Sequence, residues 1–185
     1  AVLAQEHNSF KVLPTFRPDN TWAITTEEYR EYLEKLGESA QQSIQTFADL
    51  TIALSNRVAF FHEMGGRLAD QGLNTFVYAP ATNEELDAIL ARALTGETNF
   101  TTTEVAQFTT AIQKHLMGEY HQRQWTMQMH MNAFRNDSTK MKREIGINVG
   151  GDSMGDQSEL TKNIVNLFAE VEEANKLPKT ILYSL

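Results

Sequence analysis

Residues Met127-Gln-Met-His-Met-Asn132 set an imidazole and two amides on one side of an alternating run. On a β-strand, side chains point to opposite faces with period two. Met127, Met129 and Met131 therefore share one face, and Gln128, His130 and Asn132 share the other. Arg135 and Asn136 follow at once, so hydrogen-bonding groups gather where a strand runs into a loop, the place where α/β folds usually put their chemistry. An imidazole there can act as an acid/base group, a metal ligand or a substrate donor; the alternative is a packed histidine bonded to a backbone carbonyl. A second candidate is Arg17. In Lys11-Val-Leu-Pro-Thr-Phe-Arg-Pro-Asp19, alternation puts Lys11, Leu13, Thr15 and Arg17 on one face, and Pro18 biases Arg17 toward extended backbone. A guanidinium held at a strand end suits bidentate binding of a carboxylate; the alternative is an arginine paired with Asp19 or simply solvated.

Other residues offer less. His115 and His121 do not share a helix face, His62 sits near a helix end, and His7 is near the start of the chain; all four read as surface histidines. There is no His-x-His and no His-Glu-x-x-His, so no complete zinc site can be written. The glycine-rich loop over residues 146–157 could hold an anion on backbone N–H groups. It matches neither nucleotide-binding glycine pattern, and Asp152 and Asp156 would repel a phosphate.

Elements must bring these groups together. Four strands are predicted, over Phe10–Phe16, Asn74–Ala79, Trp125–Met131 and Thr180–Leu185. Helical spacing fills the gaps. Thr25 with Glu28 forms a capping-box pattern for a helix that stops near Gly37. A second helix starts near Thr46, carries Phe47, Leu50, Leu54, Val58 and Phe61, and ends at Gly65-Gly66. Asn83 caps a third, with Leu86, Ile89, Leu90 and Leu94, closed by Gly96. Thr101 with Glu104 opens a fourth, with Val105, Phe108, Ile112, Leu116 and Tyr120. The last starts near Ser158 and shows Leu160, Ile164, Leu167, Phe168 and Val171.

The chain has 185 residues, 41% of them hydrophobic, enough for one domain with a real core. A net charge of −8 argues against a nucleic-acid or membrane-surface protein, because both partners demand excess Lys and Arg. The absence of cysteine excludes disulfides, thiolate metal sites and a cysteine nucleophile, and fits a reducing cytoplasm. No apolar run approaches the roughly 18 residues that span a bilayer, and no signal peptide is visible. Strands alternating with helices imply βα units and a mostly parallel sheet, either a small doubly wound domain or part of an eightfold barrel. The two differ in strand order. Sequential order marks the barrel; a switch point with helices on both faces marks a stand-alone acidic α/β module that binds a small carboxylated ligand through Arg17 and His130. A purely structural piece without a binding site is a third reading.

Phe16-Arg-Pro-Asp19, Glu104-Val-Ala-Gln-Phe-Thr-Thr110, Gln128-Met-His-Met-Asn-Ala-Phe-Arg-Asn136, Gly151-Asp-Ser-Met-Gly-Asp156 and Leu177-Pro-Lys-Thr-Ile-Leu-Tyr183 resemble the uronate isomerases in order and spacing. The resemblance covers essentially the whole chain. It implies an amidohydrolase-like (β/α)8 TIM barrel, of which residues 1–185 would form one segment of about four parallel strands with intervening helices, incomplete at both ends. It also implies a cytoplasmic enzyme of hexuronate catabolism that interconverts D-glucuronate with D-fructuronate and D-galacturonate with D-tagaturonate. A proton moves between C2 and C1 through an enediol, with a carboxylate base and groups that polarise the carbonyl. Residue by residue, Arg17 resembles the family arginine that holds the uronate carboxylate. His130 becomes the catalytic candidate; Arg17, Asp19, Asn132, Arg135 and Asn136 become the substrate-binding candidates. Asp70-Gln71-Gly72 resembles a family Asp-His-Gly motif but has Gln71 in place of histidine, which weakens any metal or acid/base role there. Some members bind a divalent metal such as zinc. The family's His-x-His and its base aspartate are expected upstream and downstream of this chain, so the segment alone is expected to be inactive. Its unpaired parallel edges predict a homo-oligomer.

Overall fold

The computed structural model describes residues 10–184. A 3-10 turn at Asp19–Trp22 leads into helices α1 (Tyr29–Ala40) and α2 (Phe47–Glu63), strand β1 (Leu68–Leu73), helices α3 (Asn83–Leu94) and α4 (Thr102–Gln122), and strand β2 (Thr126–Met131). After β2 come short strands β3 (Ala133–Phe134) and β4 (Ser153–Met154) flanking helix α5 (Thr139–Glu144), then helix α6 (Leu160–Glu173) and strand β5 (Lys179–Ser184). β1, β2 and β5 form a three-stranded sheet in that order, and both pairings are parallel. The long strands are therefore adjacent in sequential order with helical connections between them. No switch point occurs among these three described strands.

One face of the sheet is the core. Ala69, Gln71 and Leu73 of β1 and Met127, Met129 and Met131 of β2 are buried, while Asp70, Gly72, Gln128 and His130 alternate onto the opposite, half-buried face. Helix α4 supplies the centre of the helical layer, with Phe108, Ile112, Leu116, Met117 and Tyr120 fully buried. It packs against α2, α3 and α6. Phe47 of α2 meets Phe108 edge-on, with ring centroids 5.4 Å apart. β5 is the edge of the sheet: Ile181, Leu182 and Tyr183 are exposed.

Two predicted strands are corrected. Residues 74–79 form an extended loop rather than a strand, and β1 lies immediately before it. Side chains, not a neighbouring strand, satisfy this loop: the N–H groups of Phe76, Tyr78 and Ala79 donate to Gln157 Oε1, Asn163 Oδ1 and Thr110 Oγ1. Over Phe10–Phe16 only Phe16 pairs, in one parallel bridge to Ala69, with Phe16 N–H on Leu68 O at 3.1 Å and Asp70 N–H on Phe16 O at 2.9 Å. Pro14 has no N–H to offer a ladder. Among the described residues, the expected count of about four parallel strands therefore reduces to three plus this bridge, with β3 and β4 forming a separate antiparallel pair. The other two strands stand within a residue of their predicted starts; Leu185, like His7, lies outside the described residues.

Helix boundaries show where capping chemistry acts. Thr101 with Glu104, expected to open a helix, forms a capping box, and two more occur, Thr46 with Asp49 and Thr82 with Glu85. The third helix is thus capped by Thr82, one residue before Asn83. Thr25 with Glu28 does not form a box. Thr26 donates its hydroxyl to Ala23 O, and α1 begins at Tyr29 without a side-chain cap. Helix α1 also continues past Gly37 to Ala40. A Cβ at Gly37 would stand 2.9 Å from Gln42 O, so this glycine permits a close crossing rather than ending the helix.

Among the described residues, the three histidines outside the sheet are each hydrogen-bonded; His121 is exposed, as read from the sequence, while His62 and His115 are half-buried. Trp125 Nε1–H donates to His62 Nδ1 at 3.0 Å, and His121 Nδ1 bonds Leu177 O at 2.8 Å. His115 Nε2 lies 3.0 Å from Ser55 Oγ. Burial pushes the His115 imidazole below its ordinary value of 6.5, opposed by Glu119 and reinforced by Lys176. The unfolded chain therefore takes up this proton first as pH falls. The stability contribution is complete above about pH 6.5 and is lost as pH drops through the folded value. Accordingly, His115→Gln, which keeps a polar partner for Ser55, is expected to flatten the fall in melting temperature between about pH 7 and pH 5. An acid-side slope equal to that of the wild type would exclude His115 as its source.

Candidate functional site

The polar face of the sheet collects groups from consecutive strands. The register aligns Gly72 with His130 and His130 with Tyr183. Asp70 stands two residues before Gly72 on the same face of β1. Its Oδ1 lies 2.7 Å from His130 Nε2, and its Oδ2 accepts from Arg17 Nη1 at 2.9 Å. Arg17 Nε donates to Asp19 Oδ2 at 2.9 Å, and the other Asp19 oxygen accepts Gly72 N–H at 3.0 Å. Gly72 lets these groups approach closely: a Cβ there would stand 3.3 Å from Asp19 Oδ2 and 3.4 Å from Arg17 Nη2, a tight fit that would press on both side chains. The Tyr183 ring stacks on His130, 4.7 Å between centroids and 9° from parallel, while its hydroxyl donates to Gln128 Oε1 at 2.9 Å.

Of the sequence-predicted residues, Arg17, Asp19 and His130 thus form one connected cluster. Arg17 is paired with Asp19, as the plainer reading had it, and with Asp70 as well. Its side chain is still 56% exposed, and that of His130 is 42% exposed. His130 faces a carboxylate, not a backbone carbonyl.

Arg135 lies just beyond β2 and lines, with His130, Ala133, Leu182 and Tyr183, a pocket of about 460 Å³. Its guanidinium pairs with Asp152 at 2.7 Å and reaches Asn74 Oδ1 at 3.4 Å. Asn132 and Asn136 take a different part. Asn132 leaves strand geometry, with φ of 63°, so the period-two alternation ends at Met131. Its Nδ2 donates to Gly155 O, and its Oδ1 accepts from Gln157. Asn136 donates its backbone N–H to Asp152 Oδ1 and accepts Asn148 N–H. Both asparagines therefore hold the glycine-rich excursion of residues 146–157 against the end of β2. The Asn136 N–H and the Arg135 guanidinium keep the Asp152 carboxyl below the usual carboxylate range.

Sequence reasoning gave Asp70 and Tyr183 no place in the site. Tyr183 had a usable signal, since it matches His130 in a motif at the end of the next parallel strand. Asp70 stood in the Asp-Gln-Gly stretch whose metal or acid/base role Gln71 weakened, and its partner Arg17 lies 53 residues away in the chain. Gln71 faces the helices, where it is fully buried and donates to Gln113 Oε1 at 2.6 Å. It is no part of this cluster. Among the described residues, no three His, Asp or Glu side chains converge as a metal shell. In the cluster itself, Asp70 is engaged by His130 and Arg17, an arrangement that does not fit a metal shell.

The arrangement can orient an anion on guanidinium donors and meet a hydroxyl with an imidazole. Comparison with known proteins identifies relatives along the whole chain. A family model described as glucuronate isomerase matches residues 1–185. A uronate isomerase of Vibrio vulnificus (strain YJ016) is 42% identical over 186 residues, and one of Yersinia pseudotuberculosis (serotype O:1b, strain IP 31758) is 40% identical over 185 residues. Each comparison takes in 100% of this chain but only 39% of the relative. Among solved structures, the uronate isomerase of Thermotoga maritima superposes with a TM-score of 0.78 at 26% identity over 92% of this chain and 37% of that one. The glucuronate isomerase of Caulobacter crescentus shares the fold, with a TM-score of 0.74 at 20% identity over 94% of this chain and 36% of that one. The chain belongs to the glucuronate isomerase family.

Proposed function

We propose that these residues form the substrate-side part of a uronate isomerase, an enzyme of hexuronate catabolism in the cytoplasm. It interconverts D-glucuronate with D-fructuronate and D-galacturonate with D-tagaturonate. The observation that carries the reading is the clustering of Arg17, Asp70, His130 and Tyr183 on one sheet face, with Arg135 at the strand end. Arg17 holds the uronate carboxylate with guanidinium donors, and Asp19 fixes the guanidinium plane. His130 meets a sugar hydroxyl beside the reacting carbons. Arg135 lines the other side of the pocket, with Asn132 and Asn136 shaping the loop that borders it. A divalent metal such as zinc, where the whole enzyme uses one, is held by groups other than this cluster.

The chain spans 39% of the curated relatives it matches. The sheet is accordingly read as part of a closed (β/α)8 barrel, in which further strands cover the exposed edge at β5. Without them, that edge leaves unpaired backbone groups beside exposed Ile181, Leu182 and Tyr183, and the isolated chain self-associates. The sequential strand order disfavours the stand-alone module.

The test is a calorimetric titration of the chain with D-glucuronate and, separately, with D-glucose, paired with a turnover assay. Binding of the uronate but not the neutral sugar, without turnover by this segment, is expected. Equal affinity for both sugars would remove the carboxylate site, and turnover would show that the segment holds a complete catalytic set.

A further inference from the structure

We propose that Asp70 is a positioning residue that fixes the tautomer of His130, leaving Nδ1 as the acceptor nitrogen that meets a substrate hydroxyl. The inference deepens the uronate reading and rests on it for the identity of that hydroxyl. The tautomer itself follows from the contacts alone.

Arg17 sets the direction. A guanidinium only donates hydrogen bonds and stays protonated, so its Nη1 commits Asp70 Oδ2 as an acceptor. The ionised carboxylate has no proton of its own to give, and its Oδ1 lies 2.7 Å from His130 Nε2. A ring-nitrogen lone pair at that distance would repel the carboxylate, so Nε2 carries the hydrogen. In the neutral imidazole, Nδ1 is then unprotonated. Among the described residues, Nδ1 has no hydrogen-bond partner. The ring is also held in place. Tyr183 lies parallel against it at 4.7 Å, and Gln128 anchors the Tyr183 hydroxyl at 2.9 Å. One carboxylate thus joins the group proposed to hold the uronate carboxylate to the group proposed to meet a hydroxyl, and fixes their separation.

Asp70→Asn turns this logic over. The carbonyl oxygen of the introduced amide is claimed by Arg17, which has nothing but donors to present. The amide N–H then faces His130 Nε2, which must become the acceptor, and the ring proton moves to Nδ1. An amide in place of a carboxylate beside a histidine selects the wrong tautomer by this route while the geometry is preserved.

The experiment is a long-range 1H–15N correlation spectrum of the histidine rings in the 15N-labelled chain, at a pH where His130 is neutral. His130 is assigned as the pair of ring signals missing in His130→Gln. The wild type is expected to show protonated Nε2 and unprotonated Nδ1, and Asp70→Asn to exchange those two signatures. A wild-type ring protonated at Nδ1, or an equal mixture of tautomers, overturns the proposal without any variant. So does an unchanged tautomer in a folded Asp70→Asn chain. Titration with D-glucuronate separates the two levels. A shift at Nδ1 supports the hydroxyl contact. A correct tautomer with no shift at Nδ1 overturns the contact, and with it the uronate reading of His130, while the tautomer control by Asp70 stands.

Discussion

Trp125→Ala is expected to lower the unfolding free energy by about 3–5 kcal/mol, the range for truncating a large buried aromatic. Trp125 is completely buried and immediately precedes β2. Its indole lies 9° from parallel to Tyr120 at 5.8 Å and 18° from parallel to His62 at 6.2 Å. Its Nε1–H donates to His62 Nδ1, and its backbone N–H donates to Tyr120 O at 2.9 Å. Truncation removes the stacking and the indole hydrogen bond and leaves a cavity where α2, α4 and β2 meet. Trp125→Phe keeps a ring in that space but loses the N–H, so it should forfeit the roughly 0.5–1.5 kcal/mol of one hydrogen bond plus a repacking cost. Urea unfolding followed by circular dichroism reads both. A lower midpoint at unchanged slope marks lost stability rather than an altered denatured state. A loss below about 1 kcal/mol for alanine would mean that the neighbouring side chains close the gap. The same residue anchors the start of the strand that carries His130, so its loss should also weaken the site.

The strand bearing His130 was legible because both of its faces obey the period-two rule: three methionines go inward, and Gln128 and His130 go outward. β1 was not. Asp70-Gln71-Gly72 has the composition of a turn, yet each residue answers a tertiary demand. Asp70 meets Arg17 and His130, Gln71 meets Gln113, and Gly72 makes room for Arg17 and Asp19. On the inner face of β1, Gln71 stands between Ala69 and Leu73 and interrupts the hydrophobic alternation that reveals strands in sequence. Residues 74–79 mislead in the opposite sense. Their Phe-Val-Tyr content suits a sheet, but the backbone is met by Gln157, Asn163 and Thr110, which are distant in sequence. Asn132 belongs by type to the polar face of β2, and only its positive φ shows that the strand has already ended. The site was therefore legible at His130, where side chains obey local periodicity, and at Arg17, where the Arg-Pro-Asp sequence marks a guanidinium. It was hidden where a long-range carboxylate links them.

Arg17→Ala is expected to weaken D-glucuronate binding by about 10- to 100-fold, the equivalent of one charge-assisted hydrogen bond of roughly 1.5–3 kcal/mol. D-glucose, which lacks the carboxylate, serves as the control and should be unaffected. Net charge does not produce this attraction. Arg17 with Asp19 and Asp70 sums to −1, so an approaching uronate meets no positive field from this group. Binding must come from directed donors, the outer N–H groups that Asp19 and Asp70 leave unused on a guanidinium they hold in plane. Two consequences separate this origin from simple charge attraction. Arg17→Lys should restore little affinity, because an ammonium cannot present a planar fork to two aspartates and a ligand at once. The wild-type affinity should also fall only weakly with added salt, since screening acts on long-range fields more than on short contacts. Calorimetry at low and high ionic strength, on the wild type and both variants, decides the matter. Full rescue by lysine together with a steep salt dependence would assign uronate binding to charge attraction. An unaltered affinity in Arg17→Ala would move the carboxylate to Arg135, on the other side of the His130 pocket.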